Sequence, residues 1–248
     1  MSDRDSASTF AKGLAVLNCF EQGRTDLTMA EIARQTGFDR ATARRLCLTL
    51  EASGYLIKDG KTFQLTPKVV AIAGGYLASQ RIGRSVQPIL NQFAEELEGE
   101  IAVAVREGVR AVYIARSAVS KARLSIGFSV GSTLPLLPTA VGRMLLAQCT
   151  AEDREKMLQA CPLEKRTEFT EMDLNSIRQK IEKASEQGYA HSTSEFELGA
   201  AGIAVPVSVI SHTQTVLATT ASVNQFSVKG EIDRVLDILR RAAMGLRT

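Results

Sequence analysis

Two absences narrow the reading at once: no apolar run approaches the length of a membrane span, and the polar start from Met1 to Ser8 has no signal-peptide core. A cytoplasmic protein is expected. Histidine is scarce, with only His191 and His212, in a late region that has no nucleophile-elbow pattern around it. A serine or cysteine nucleophile would lack a base, so no catalytic residues are expected. The four cysteines, Cys19, Cys47, Cys149 and Cys161, show no close paired spacing. Cys149, Cys161 and His191 match no paired zinc motif, and Cys161 precedes a proline in an expected loop. Cys19 and Cys47 fall on apolar helix faces, where a reduced thiol behaves as a small hydrophobe. No metal and no cofactor is expected. Glu195 and Glu197 with Asp173 are taken as solvated loop charge rather than an acidic site. Repeats and low-complexity tracts are absent, and a net charge of +3 excludes a chain basic over its whole surface.

What is present is enough for two domains: 248 residues with 45% hydrophobic content. The densest signal runs from Leu27 to Thr66. Thr28 to Thr36 reads as a short helix with Ile32 and Ala33 on one side, and Gly37 supplies the left-handed stop before a sharp turn. Asp39 reads as the N-cap of a second helix extending to Ser53. Its residues Ala43, Leu46, Cys47 and Leu50 recur at i, i+3, i+4, i+7, which is one buried stripe at helical period. The opposite face carries Arg40, Thr42, Arg44, Arg45 and Thr49. After Gly54 the period changes to two, with a hairpin expected to turn at Asp59-Gly60 between Tyr55 to Lys58 and a return strand holding Phe63 and Leu65.

That order is a winged helix-turn-helix. Arginines at the start of the second helix can bond guanine in a bidentate way in the major groove, and Thr can touch a thymine methyl. Arg40, Thr42, Arg44, Arg45 and Thr49 are therefore the candidate readers. Lys58 and Lys61 flank the wing tip and, with Lys12 on the preceding helix, suit phosphates, which position the protein without reading sequence. A solvated helix face alone would also be rich in Arg and Lys. Here helix, turn, helix, Gly-Tyr-Leu and Asp-Gly hairpin occur together.

Beyond the wing, Pro67 opens a linker helix to Ser79 with a broad apolar face, expected to bend at Gly74-Gly75. A helix from Ser85 to Glu98 carries Val86, Ile89, Leu90, Phe93, Ala94 and Leu97 as a stripe to be buried. Strands are expected at Ile101 to Val105, Ala111 to Ala115, Arg123 to Ile126, Gly202 to Ile210 and Thr215 to Val223. Helices are expected at Thr139 to Gln148, Ala151 to Gln159, Asp173 to Gln187 and Lys229 to Ala243. Antiparallel strands with packed helices make an α+β domain able to bind a small molecule between sheet and loops. Thr139 reads as an N-cap, and the N–H groups of the helix it opens favour an anion such as a carboxylate; a capping threonine also needs no ligand to explain it.

Several runs together resemble the IclR-type bacterial transcription regulators. They are Lys12 to Leu17, Ala41 to Leu46 with Gly54-Tyr55-Leu56, Val130 to Pro135, Gly142 to Ala147 and Gly202 to Val207. The resemblance covers nearly the whole chain and implies an N-terminal winged helix joined to a C-terminal effector-sensing domain of GAF-like fold. Tyr55 to Pro67, Val112 to Arg116 and Gly131 to Pro135 look most like the branch controlling aromatic-acid breakdown through protocatechuate, 4-hydroxybenzoate and the β-ketoadipate pathway. It implies an effector pocket lined at Leu134, Thr139, Ala140, Val141, the Ser192 to Gly202 segment including Glu195, and Thr220 and Ser222. Where that branch would have Leu-Arg-Ser, this chain has Ala200-Ala201-Gly202, so one expected cation is missing.

The expected organisation is a DNA-binding domain at 1–66, a linker helix at 67–84 and an effector domain at 85–248. The expected function is a ligand-responsive regulator that binds a double-stranded operator and a small carboxylate. Because one recognition helix reads few base pairs, a homo-oligomer is expected, a dimer or a dimer of dimers, with the linker helix as its contact. The alternatives are a metal- or redox-responsive regulator, or a small-molecule-processing enzyme with an accessory DNA-binding domain.

Overall fold

The computed structural model describes residues 8–21, 25–80, 82–119, 128–207 and 214–246. The chain divides into two compact units, Met1–Leu77 and Ala78–Thr248.

In the first unit, α1 (Ser8–Asn18), α2 (Met29–Thr36) and α3 (Arg40–Ala52) surround a small core with a three-stranded sheet of β1 (Leu27–Thr28), β2 (Leu56–Asp59) and β3 (Thr62–Leu65), in the order β1-β3-β2. Val16, Leu27, Ile32, Leu46, Cys47, Leu56 and Phe63 form that core. Each helix boundary has a local cause. Thr28 and Glu31 cap α2 reciprocally, and Gly37, at φ 71°, ends it. Asp39 accepts the Thr42 N–H to start α3. The wing turns at Gly60-Lys61 rather than Asp59-Gly60, because Asp59 still pairs with Thr62 and Gly60, at φ 56°, takes the first turn position. Beyond the wing, α4 (Lys68–Ser79) continues through Gly74 and Gly75. Glycine weakens a helix by about 1 kcal/mol, but unlike proline it removes no backbone donor. No residue of α4 is buried, and Val70, Ile72 and Tyr76 are exposed.

The second unit opens with a π turn at Ile82–Val86, and α5 (Gln87–Leu97) begins only after it, with proline in its first turn. The helix expected from Ser85 is therefore shorter, since Pro88 suits a helix start and not an interior. An antiparallel sheet follows, built from β4 (Glu100–Glu107), β5 (Arg110–Ala118), β6 (Thr133–Pro135), β7 (Ala190–Thr193), β8 (Ala200–Val207) and β9 (Thr215–Ser222), in the order β6-β5-β4-β9-β8-β7. The expected strand Arg123 to Ile126, and the end of another from Ser208 to Ile210, lie outside the described residues. Short β6 and β7 lacked the length that makes a strand visible in sequence.

Strand alternation divides the core. Ala102, Ala104, Val216 and Ala218 belong to one cluster with Leu145 and Leu146 of α6 (Ala140–Ala147) and Ile177 and Ile181 of α8 (Leu174–Gln187). Ile101, Val103 and Leu217, pointing the other way, are also fully buried, and α5 and α10 (Glu231–Gly245) pack on the sheet. Between α6 and α8 lies α7 (Ala151–Ala160), and α9 (Val223–Phe226) precedes α10. This is the α+β architecture of a winged helix followed by a GAF-like domain.

Candidate functional site: a basic helix and a sensor pocket

On α3, Arg40, Arg44, Arg45 and Thr49 are exposed and Thr42 is half-buried; Lys58 and Lys61 are exposed on the wing. The two threonines are already engaged. Thr42 donates its N–H and Oγ1–H to the Asp39 carboxylate at 2.9 and 2.7 Å, and Thr49 Oγ1 donates to the Arg45 carbonyl at 2.9 Å. Those donations from Thr42 hold the Asp39 carboxyl below its ordinary pKa. The arginines are thus the donors left facing outward. Arg44 and Arg45 line an open hollow with Ala41, Leu48, Thr49, Ala52 and Ser53. Leu48, 40% exposed on this face, was not singled out from sequence, because a single leucine beside a buried stripe resembles part of that stripe. The Gly-Tyr-Leu step is clasped from α4: Lys68 donates to the Ser53 carbonyl at 2.8 Å and lies 4.6 Å over the Tyr55 ring.

A partly open pocket lies in the second unit against the start of α6. Leu134, Thr139, Ala140, Val141, Ser192, Glu195, Gly202 and Thr220 all line it, together with Tyr113, Phe128, Phe196, Glu197 and Thr219. Ser222 does not line it. Its hydroxyl caps α9 instead, accepting the Gln225 N–H, because the strand ends there and the chain turns into a helix. The aromatic residues form a series along one side, Tyr113 to Phe128 at 5.6 Å and Phe128 to Phe196 at 6.1 Å between ring centroids. Burial pushes the Tyr113 hydroxyl well above the usual tyrosine range, with Glu100 adding to the effect.

The start of α6 is less free than the sequence suggested. Thr139 Oγ1 accepts the Gly142 N–H at 3.0 Å and donates to the Pro135 carbonyl at 2.7 Å, while Ser192 Oγ accepts the Ala140 N–H at 3.0 Å. Ser192 thus holds a place that an anion would otherwise occupy.

Glu195 overturns the expectation of solvated loop charge. It is 6% exposed and meets the two terminal nitrogens of Arg143, itself 1% exposed, at 2.7 and 2.5 Å. Burial raises its carboxyl, but the Arg143 hydrogen bonds and charge, with Lys180, outweigh it and leave the group below its ordinary value. Glu197 is exposed, and exposed Asp173 caps α8. Arg143 was missed in the sequence because it sits inside an apolar helical run, where an arginine suggests solvent. Cys149 and Cys161 are buried in the core beside Leu158, with their thiols raised by burial, that of Cys161 to about 11. Among the described residues no group of three or more His, Cys, Asp or Glu is placed to hold a metal, and no helix is long and apolar enough to cross a membrane.

Comparison with known proteins agrees with this geometry. Residues 9–60 match the IclR helix-turn-helix domain, and residues 74–247 match the bacterial transcriptional regulator IclR C-terminal domain. The chain is 36% identical over 205 residues to the Pca regulon regulatory protein of Pseudomonas putida, covering 83% of this chain and 70% of that protein. It is 31% identical over 248 residues to the p-hydroxybenzoate hydroxylase transcriptional activator of Acinetobacter baylyi, covering 98% and 92%. A crystal structure of an IclR homologue from Microbacterium hydrocarbonoxydans complexed with 4-hydroxybenzoate superposes with a TM-score of 0.78 at 25% identity, covering 96% of this chain and 97% of that one. These two consecutive matches, over a chain with a basic α3, a wing and a pocketed α+β domain, place it in the IclR family of bacterial transcriptional regulators, as a ligand-responsive, sequence-specific DNA-binding protein.

Proposed function

We propose that the chain regulates genes of aromatic-acid breakdown in the cytoplasm, binding operator DNA through α3 and the wing and a small aromatic carboxylic acid in the α6 pocket. The observation that carries the effector class is the aromatic wall of Tyr113, Phe128 and Phe196 in a pocket that is also lined by the start of α6. A planar ring gains from aromatic edges and faces, and its carboxylate suits the N–H groups at the start of α6. The relatives' names, one tied to p-hydroxybenzoate hydroxylase and one complexed with 4-hydroxybenzoate, support the same class. Arg40, Arg44 and Arg45 read bases, and Lys58 and Lys61 contact phosphates. The chain works as a homo-oligomer, a reading supported by Val70, Ile72 and Tyr76, which the single chain leaves exposed on α4. Domains at 1–66 and 85–248 joined by 67–84 allow an effector that prefers one sensor arrangement to bias the spacing of two recognition helices.

Titration calorimetry of the full chain with 4-hydroxybenzoate, 4-hydroxybenzamide and succinate tests the effector class. Binding of the aromatic acid in preference to the neutral amide and the aliphatic diacid is expected. Silence toward the aromatic acid overturns the reading. Footprinting on DNA upstream of the chain's own gene, with and without the acid, tests the DNA half independently.

A further inference from the structure

We infer that the buried Arg143–Glu195 ion pair is a latch that holds the 194–199 loop as a wall of the effector pocket and thereby sets effector affinity. The inference rests on the pocket reading above. Arg143 does not line the pocket; Glu195, Phe196 and Glu197 do. Arg143 is therefore a positioning residue. It projects from α6 shortly after Ala140 and Val141, which form the facing wall, so the pair ties two sides of one pocket together.

The geometry is that of a clamp rather than a chance contact. Both Glu195 carboxylate oxygens meet Arg143, Lys180 Nζ approaches at 3.4 Å, and the Glu171 N–H donates to the same carboxylate at 3.2 Å. The adjoining carbonyls are held as well. Thr167 Oγ1 donates to Ser194 O at 2.6 Å and Thr170 Oγ1 to Glu195 O at 2.7 Å. The loop needs this restraint, because it begins with Ser194 at φ 56°, a left-handed conformation unfavourable for a residue other than glycine, and ends at Gly199 with φ 78°. Phe196, one residue from the clamp, then stands beside Phe128.

Stability alone does not account for the pair. A buried ion pair loses much of its Coulomb gain to desolvation and is often replaceable by apolar residues of similar volume without loss of stability. Here Arg143 Nε, also buried, has no hydrogen-bond partner among the described residues. What an apolar replacement cannot reproduce is direction: two parallel hydrogen bonds set the loop's position in a way that methyl groups do not.

The test uses the full-length double variant Arg143→Met with Glu195→Met and the single variant Glu195→Gln, measured by thermal unfolding, amide hydrogen exchange and 4-hydroxybenzoate titration. The double variant should keep nearly its melting temperature. Its 194–199 amides should exchange about tenfold faster, and its 4-hydroxybenzoate affinity should fall about tenfold. The Gln variant keeps the volume but only one accepting oxygen, so it loses one of the two parallel hydrogen bonds and the counter-charge of Arg143. Its melting temperature should fall, and its loop exchange and affinity per folded molecule should shift as in the double variant and decide the matter if that variant fails to fold. A purely stabilising pair would instead lower the melting temperature and leave affinity per folded molecule unchanged. Wild-type loop exchange, or wild-type affinity, in a folded double variant overturns the latch. If the wild type itself ignores 4-hydroxybenzoate, the aromatic-acid reading falls, and loop exchange alone decides the latch.

Discussion

Gly142 lies so close to Leu136 that a Cβ added to the glycine would fall 2.2 Å from the Leu136 Cα and carbonyl oxygen. Backbone sits on the far side of that contact, so no side chain can swing away. This approach seats α6 against the segment between β6 and Thr139, and so places the pocket wall. Gly142→Ala should therefore destabilise the protein by about 3 kcal/mol, because the steric cost of overpacking exceeds the roughly 1 kcal/mol gained in helix propensity. Gly74→Ala is the control. That glycine is also helical but has nothing within 4 Å of the added Cβ, so about 0.5–1 kcal/mol of stabilisation is expected. Thermal unfolding of the two variants should move in opposite directions.

On the DNA side, Arg40→Ala or Arg45→Ala should weaken operator binding by about 1–3 kcal/mol while sparing nonspecific binding, because base contacts are lost. Lys61→Ala should lower affinity for all duplexes alike and reduce the salt slope by about one. Thr42 and Thr49, whose hydroxyls are held by Asp39 and the Arg45 carbonyl, should matter less through hydrogen bonding than through their methyl groups. Fluorescence anisotropy over a salt series separates these outcomes. Wild-type operator affinity in both arginine variants would remove α3 as the reading helix.

Most of the winged helix was legible because its signals are local. Gly37 and Asp39 announce their roles through neighbours within four residues, and the α3 stripe follows one period, whereas Thr28, read as the first residue of a helix, is its cap. The hairpin register was one residue off, since an Asp-Gly pair does not show which member stays in the ladder. The resemblance named residues most of which line one pocket at α6, but the electrostatics there were not visible. Arg143 and Glu195 lie 52 residues apart and meet only when α6 packs beside the 194–199 loop. Nothing near Glu195 marks it as buried, and the apolar run around Arg143 gives no sign of the partner it meets. For the same reason Ser192, assigned to the effector, also turns out to occupy the Ala140 N–H, and Ser222, assigned beside it, belongs to a helix cap.

Acid should loosen the sensor domain in two stages. Burial lowers the His191 pKa, so the folded state resists its protonation, and stability is lost as pH falls below the ordinary histidine value of 6.5. Glu171 is lowered from 4.5 to about 2 by hydrogen bonds from Ser176 and the Asp173 N–H, aided by Lys180, and Glu195 is lowered as well. A lowered carboxylate stabilises the fold fully above its unfolded value, and that contribution disappears as pH falls from about 4.5 toward 2. Melting temperature against pH should therefore show an early decline that His191→Gln removes and a steeper one that Glu171→Gln flattens. A flat curve in the wild type between pH 4.5 and 2 would contradict the carboxylate network.

The start of α6 offers the sharpest test of where an effector carboxylate sits. Ala140 is only 2% exposed, so a charge introduced at that position would itself be buried and would confuse repulsion with misfolding. Ser192 is the better probe, since its hydroxyl accepts the Ala140 N–H and both residues line the pocket. In Ser192→Ala that N–H loses its partner in the empty protein, at a cost of about 1–3 kcal/mol, and a docking carboxylate would recover the bond. The variant should thus melt at a lower temperature yet bind 4-hydroxybenzoate more tightly, by about tenfold. Thr139→Ala loses the cap and should cost about 0.5–2 kcal/mol of stability without tightening the ligand. Calorimetry on both variants reads the difference directly. Weaker binding in Ser192→Ala would mean that the hydroxyl, not the helix start, receives the effector, and unchanged binding would move the carboxylate away from α6 altogether.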